Sequence, residues 1–148
     1  MVVQRVCEAS VRIDGKMVSS ISQGLMVLLG IEAIDFQLDA DYLVQKLINL
    51  RVFNDDQGKM NRSIKDIGGE LLIISQFTLH ASTKKGNRPS YIRAARPEQA
   101  IQLYEYFIQQ AQKEVNSKIQ TGEFGADMKV SLINDGPVTI IIDSAQKE

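Results

Sequence analysis

Residues 2–13 are rich in β-branched side chains and alternate in two sets, Val2, Gln4, Val6, Glu8 against Val3, Arg5, Cys7, Ala9, continuing to Val11 and Ile13. A period of two predicts a strand. Asp14-Gly15 is a hairpin turn signal, and residues 16–20 are the returning strand. Gly24 then precedes an unbroken apolar run, Leu25 to Ile31, suited to a strand covered on both faces. Residues 39–50 change period: Leu43, Val44, Leu47, Ile48 and Leu50 line one helical face, with Asp39 or Asp41 available to its N-terminus.

Arg51-Val52-Phe53 reads as a short strand followed by the polar loop 54–59. Gly68-Gly69 marks a turn into a strong strand over 70–79. Pro97 stands where a helix starts, and Ala100, Leu103, Tyr104, Phe107, Ala111 and Val115 recur at helical spacing beyond it. Residues 128–133 and 138–142 are two further strands around Asn134-Asp135-Gly136-Pro137. No repeat, linker or low-complexity tract divides the chain. The pattern predicts one domain over residues 1–148, of mixed α+β class, with two main helices packed on a sheet and hairpins at both ends.

Composition changes little in this picture. The chain has 148 residues, 44% of them hydrophobic, which is enough to bury a core. No apolar run approaches the roughly 18 residues of a membrane helix, and the N-terminus lacks the apolar core of a signal peptide. The expected location is therefore the cytoplasm.

Charge changes it more. The net charge of −1 argues against a nucleic-acid partner, but the distribution is uneven. Residues 1–80 hold eight basic and ten acidic side chains, and residues 98–148 hold four and eight. Between them, residues 81–97 carry Lys84, Lys85, Arg88, Arg93 and Arg96 and no acid. Gly86, Asn87, Pro89 and Ser90 are turn formers and Tyr91 adds an aromatic, so the segment reads as an ordered basic loop able to attract phosphate.

Conventional catalytic sets are nearly absent. Cys7, the single cysteine, forms no internal disulfide and reads as a small buried hydrophobe in its strand. His80, the single histidine, excludes a His-rich metal site and reads as a loop residue. Nothing matches a glycine-rich nucleotide loop, and Asp55-Asp56 lacks the ligand spacing of a calcium loop, so no cofactor or metal is expected.

Two segments invite backbone chemistry instead. In Ser75-Gln76-Phe77-Thr78-Leu79 an apolar strand ends in polar side chains, which serve either local hydrogen bonds or a ligand. In Asn134-Asp135-Gly136-Pro137-Val138-Thr139, Gly136 frees the backbone and Pro137 fixes φ and removes a donor. On local pattern this is a tight turn, or else a rigid presentation of carbonyl oxygens.

Taken together and in this order, the two segments resemble the paired signatures of the D-aminoacyl-tRNA deacylases. The likeness covers essentially the whole chain. Gln4-Arg5-Val6 is similar to the family's first strand, Arg51-Val52-Phe53 through Gly58-Lys59-Met60-Asn61 to its central loop, and Lys84 to Ser90 to its basic stretch.

The resemblance implies an α+β homodimer whose mixed and antiparallel sheets form a barrel-like layer, with active sites at the subunit interface. It implies hydrolysis of the ester joining a D-amino acid, or glycine mischarged on tRNA-Ala, to the tRNA 3′ end. Gln76, Phe77 and Thr78, with Ser75, would form the chemical wall, mostly through backbone, and the terminal 2′-hydroxyl of the tRNA would assist. A cis Gly136-Pro137 bond would reach into the partner's site and exclude an L side chain. Phe124 and Met128 resemble residues lining the terminal adenosine pocket, although plain core burial suits them equally. Lys84, Lys85 and Arg88 would contact tRNA. A non-catalytic RNA-binding module and a dimeric structural protein remain as alternatives from other classes.

Overall fold

Asp14 and Gly15 reverse the chain with φ of 48° and 76°. Both values lie in the left-handed region that two-residue hairpin turns require. They join β1 (Val2–Ile13) to β2 (Lys16–Ile21), as the sequence predicts. The computed structural model describes residues 1–147.

The apolar run becomes β3 (Gly24–Leu29), which lies between β1, antiparallel, and β6 (Glu70–Ser75), parallel. A third parallel strand, β7 (Ile119–Thr121), flanks β6. Gly24 has to be glycine because a Cβ there would overlap the Glu70 carbonyl. The order β2-β1-β3-β6-β7, with β8 (Lys129–Ile141) on the other edge of β1, curls into a barrel-like layer.

Alternation along the central strands divides the core. Leu25, Val27 and Leu29 of β3 and Leu71 and Ile73 of β6 face α1 (Gln37–Asn49) and α3 (Pro97–Glu114). Met26, Leu72 and Ile74 point the other way, onto Val6, Ala9, Val11 and Ile21 inside the curl. Each such aliphatic side chain, fully buried, contributes about 1.5–3 kcal/mol. Leu43, Val44, Leu47 and Ile48 of α1 and Ala100, Tyr104, Phe107 and Ala111 of α3 complete the helical layer. Asp39 closes the start of α1 by accepting the Phe36 N–H at 3.1 Å. No helix among the described residues is long and apolar enough to cross a membrane.

Several elements depart from the sequence pattern. The strand expected over 70–79 stops at Ser75, and a 3₁₀ turn occupies Phe77–His80. The short strand expected over 51–53 appears one or two residues later as β4 (Phe53–Asn54), paired with β5 (Met60–Arg62), and the short α2 (Ile64–Ile67) follows; the pattern assigns neither β5 nor α2. The C-terminal hairpin is absent: the two strands expected over 128–133 and 138–142 are one strand, β8 (Lys129–Ile141), which pairs with β1 on both sides of an interruption at 135–138. Cys7 is exposed rather than buried. The alternation of β1 changes phase where its register against β8 shifts, around Val6, and this turns Cys7 outward.

Candidate active site

At the end of β6 the Gln76 N–H still donates to Leu29 O on β3, at 2.8 Å. The backbone then tightens into the 3₁₀ turn, where the Leu79 N–H reaches back to Gln76 O at 3.3 Å. The first N–H groups of such a turn have no acceptor within it. Among the described residues the Phe77 and Thr78 N–H groups find none elsewhere either. Two adjacent donors thus stand free at the mouth of a strand end, the arrangement that stabilises an oxyanion.

Phe77 and Thr78 both line a cleft of about 520 Å³. Ser75, Gln76, Phe77 and Thr78 form one wall, and Phe124 and Met128 line it too. Six of the eight residues predicted around the chemistry, from two distant segments, are thus brought together by the fold, and Gly136 and Pro137 are not. Phe77 is exposed and meets Tyr91 edge-on, with ring centroids 5.1 Å apart. Phe124 is half-buried and leans on Tyr104, centroids 6.0 Å apart. Tyr104 is itself fixed by donating to Ile73 O at 2.7 Å, and burial pushes its phenol up to about 12. Met128 folds over Gly122, where any Cβ would collide with its sulfur.

Thr78 is the only hydroxyl nucleophile on the turn itself. Its one polar partner among the described residues is the Gln76 side-chain amide, whose Nε2 donates to Thr78 Oγ1 at 3.0 Å. An amide is no general base, so nothing there activates the hydroxyl. The wall offers donors and shape.

The segment 134–139 is a bulge. Between the pairs Gln4–Thr139 and Val6–Asn134, β1 has one residue and β8 has four. Asn134 staples the bulge, accepting the Val138 N–H at 2.7 Å and donating to Thr139 Oγ1 at 3.0 Å. Gln4 donates to the same hydroxyl at 3.3 Å. The buried Arg5 fills the opening, donating through Nε to Asp135 O at 2.9 Å and through a terminal nitrogen to Val52 O. Gly136 has φ of 138° and the Gly136-Pro137 bond is cis. Both residues are exposed, and neither lines the cleft beside Phe77. A single chain therefore does not unite its two signature segments.

The basic loop is ordered, closed by Ser82 and Ser90 exchanging backbone hydrogen bonds at 2.8 and 2.9 Å. Lys84, Lys85 and Arg88 lie on its exposed tip, and none is in an ion pair among the described residues. Arg93 instead pairs with Glu32, and Arg96 and Tyr91 line the cleft. Tyr91 and Arg5 were not read as site residues from the sequence. An aromatic within a basic loop and a lone arginine in a β-branched strand were the available signals.

A family profile described as D-Tyr-tRNA(Tyr) deacylase matches residues 2–143. Among curated proteins, a D-aminoacyl-tRNA deacylase of Flavobacterium psychrophilum is 61% identical over 148 residues, covering 100% of this chain and 99% of the relative. One of the same name from Cytophaga hutchinsonii is 62% identical over 147 residues, covering 99% and 98%. A solved structure titled c-Myc DNA Unwinding Element Binding Protein superposes with a TM-score of 0.89 at 45% identity, covering 94% of each chain.

Proposed function

The chain belongs to the D-Tyr-tRNA(Tyr) deacylase family, and from that premise we propose how it cleaves the ester between a D-amino acid and the 3′ end of tRNA. Residues 1–148 act as a single deacylase domain. The observation that carries the reading is the pair of free N–H groups on Phe77 and Thr78, two residues that line a cleft of about 520 Å³.

An aminoacyl ester is already activated, so its hydrolysis asks mainly for position and for charge stabilisation. Water adds to the ester carbonyl, and the oxygen that becomes negative is held by the Phe77 and Thr78 N–H groups. Collapse expels the 3′-oxygen, which takes up a proton, leaving free D-amino acid and tRNA. The terminal 2′-hydroxyl of the substrate assists the attacking water, a role for which the unactivated Thr78 hydroxyl is poorly suited. Gln76 and Ser75 hold the acyl group from the same wall. Phe124 and Met128 receive the terminal adenine, whose face suits an aromatic and a thioether. Lys84, Lys85 and Arg88 take phosphates nearby, and no metal or cofactor enters.

Chirality is read by a second copy of the chain. Gly136 and Pro137 stand outside their own cleft, so they reach a bound ester only across a homodimer interface. There their carbonyls hold the α-amino group and leave no space for an L side chain. Glycine has no side chain to exclude, so glycyl-tRNA mischarged on tRNA-Ala is also hydrolysed. Ile133 and Ile141, exposed on β8 to either side of the bulge, give the second copy an apolar seat. A tRNA substrate places the enzyme in the cytoplasm.

The experiment is deacylation of D-tyrosyl-tRNA and L-tyrosyl-tRNA by the purified protein. Release of D-tyrosine with the L-ester spared supports the reading. Salt-sensitive tRNA retention without turnover, which the basic loop alone would produce, contradicts it.

A further inference from the structure

His80 ends the 3₁₀ turn that begins with Phe77, and its side chain is only 21% exposed. Its Nδ1 lies 3.0 Å from Glu32 Oε1. The same oxygen lies 3.1 Å from Nε of Arg93, on the returning arm of the basic loop. One carboxylate oxygen thus holds two elements that both line the cleft and whose rings, Phe77 and Tyr91, meet there.

The surrounding backbone explains why Glu32 sits there. Leu29 O accepts the Gln76 N–H, and Ile31 O accepts the Ala95 N–H at 2.9 Å. The Ala33 N–H donates to Arg93 O at 3.1 Å, and Glu32 pairs with Ala94 as an isolated bridge. The stretch from Leu29 to Ala33 is therefore a bracket carrying both the catalytic turn and the loop arm. Backbone bonds tie the turn to this bracket only at its start: past its far end the Ala81 N–H closes on Thr78 O at 3.1 Å and Ser82 pairs with Ser90, neither of them on the bracket. The turn's far end meets the bracket through His80, whose Nε2 is buried with no partner, so Nδ1 is its single polar anchor. Gly30 makes room for the ring, since a Cβ there would come within 2.8 Å of Nε2.

We infer that Glu32, through His80 and Arg93, is a positioning residue that holds the Phe77–His80 turn and the Tyr91-bearing loop in register beside the cleft. This rests on the deacylase reading of the cleft. Loss of the His80 anchor lets the turn rotate about its bond to Leu29 and moves the two N–H donors off the developing oxyanion. Loss of Glu32 also frees the loop arm, so binding suffers with chemistry. Charge-assisted bonds in a half-buried setting are strong enough for this work.

The test is steady-state deacylation of D-tyrosyl-tRNA by variants whose thermal midpoints show them folded. His80→Leu lowers kcat about tenfold and leaves KM within about twofold, a misplaced wall costing rate more than affinity. His80→Asn, whose Nδ2 can stand where Nδ1 stood, recovers most of the loss. Glu32→Ala lowers kcat and raises KM together. Wild-type kcat in His80→Leu overturns the inference, and so does His80→Asn as slow as His80→Leu, which would assign the effect to ring packing. If His80→Leu does not fold, Gly30→Ala displaces the ring from within, and wild-type kcat in that variant overturns the inference equally. An inactive wild type overturns the deacylase reading itself, and this inference with it.

Discussion

Arg5 Nε donates to the carbonyl oxygen of Asp135 at 2.9 Å, across the gap where four residues of β8 face one residue of β1. The guanidinium is buried, also bonds Val52 O, and lies 3.3 Å from the Asp135 carboxylate. One side chain thus ties the Gly136-Pro137 bulge to the body of the sheet. Replacing it by Met leaves two carbonyls without their donor. Arg5→Met should lose about 1–3 kcal/mol of stability by denaturant unfolding, and D-ester hydrolysis should fall further than tRNA affinity. Arg5→Lys keeps the charge but not the fork, and should fall between.

Phe77 offers a clean removal of one backbone donor. Proline suits the first position of a turn, and Gln76 before it is extended, with φ of −143° and ψ of 92°. Phe77→Pro and Phe77→Ala both lose the ring, but only the first loses the N–H. Phe77→Pro should be slower than Phe77→Ala by about 10²–10³ in kcat, the usual cost of one oxyanion donor. Equal rates would remove the backbone from the chemistry.

Thr78→Val tests the side chain separately. The hydroxyl bonds only the Gln76 amide, so its loss should leave kcat within about threefold of wild type, well short of the orders of magnitude lost with a true nucleophile. Single-turnover deacylation distinguishes the two.

Tyr104 sets an alkaline limit to stability. Its phenol titrates near 10 when unfolded and at about 12 in the fold, because burial disfavours the phenolate. The native state therefore holds its proton longer than the unfolded state. Its stabilisation is complete below about pH 10 and is lost as pH rises through about 12. Tyr104→Phe should lower stability at pH 7 by about 1 kcal/mol, through the lost bond to Ile73 O, and flatten the decline above pH 10.

The basic tip should act on binding alone. Charge reversal at Lys84, Lys85 and Arg88 should raise KM for charged tRNA and make the logarithm of affinity less steep in salt by up to one counterion per side chain removed. The kcat value should stay the same, since these residues lie away from the Phe77 turn.

Much of this arrangement was legible in the chain. Alternation located β1 and β2, an unbroken apolar run located β3, which is buried on both faces, and a 3.6-residue period located the two long helices, which bury one face each. The pattern failed where the face changes. Ser75 to Leu79 continues the apolar run of 70–74 with Phe77 and Leu79 in alternation and so reads as a strand end, yet the chain leaves the sheet at Gln76 and turns. Asn134 to Pro137 looked like a turn between two strands because glycine and proline do not betray a bulge held open by a distant arginine. Arg5 lies 130 residues away in sequence, so no local signal links them. Cys7 looked buried for the same reason, since the phase shift in β1 answers to β8. The site residues came from likeness to a family, and their chemistry came from the unpaired N–H groups.

The most direct measurement is the rate of deacylation of D-tyrosyl-tRNA against L-tyrosyl-tRNA by the purified wild-type protein. The account predicts rapid release of D-tyrosine with the L-ester spared to within its spontaneous hydrolysis. Equal rates on the two enantiomers, or turnover of neither, would contradict it.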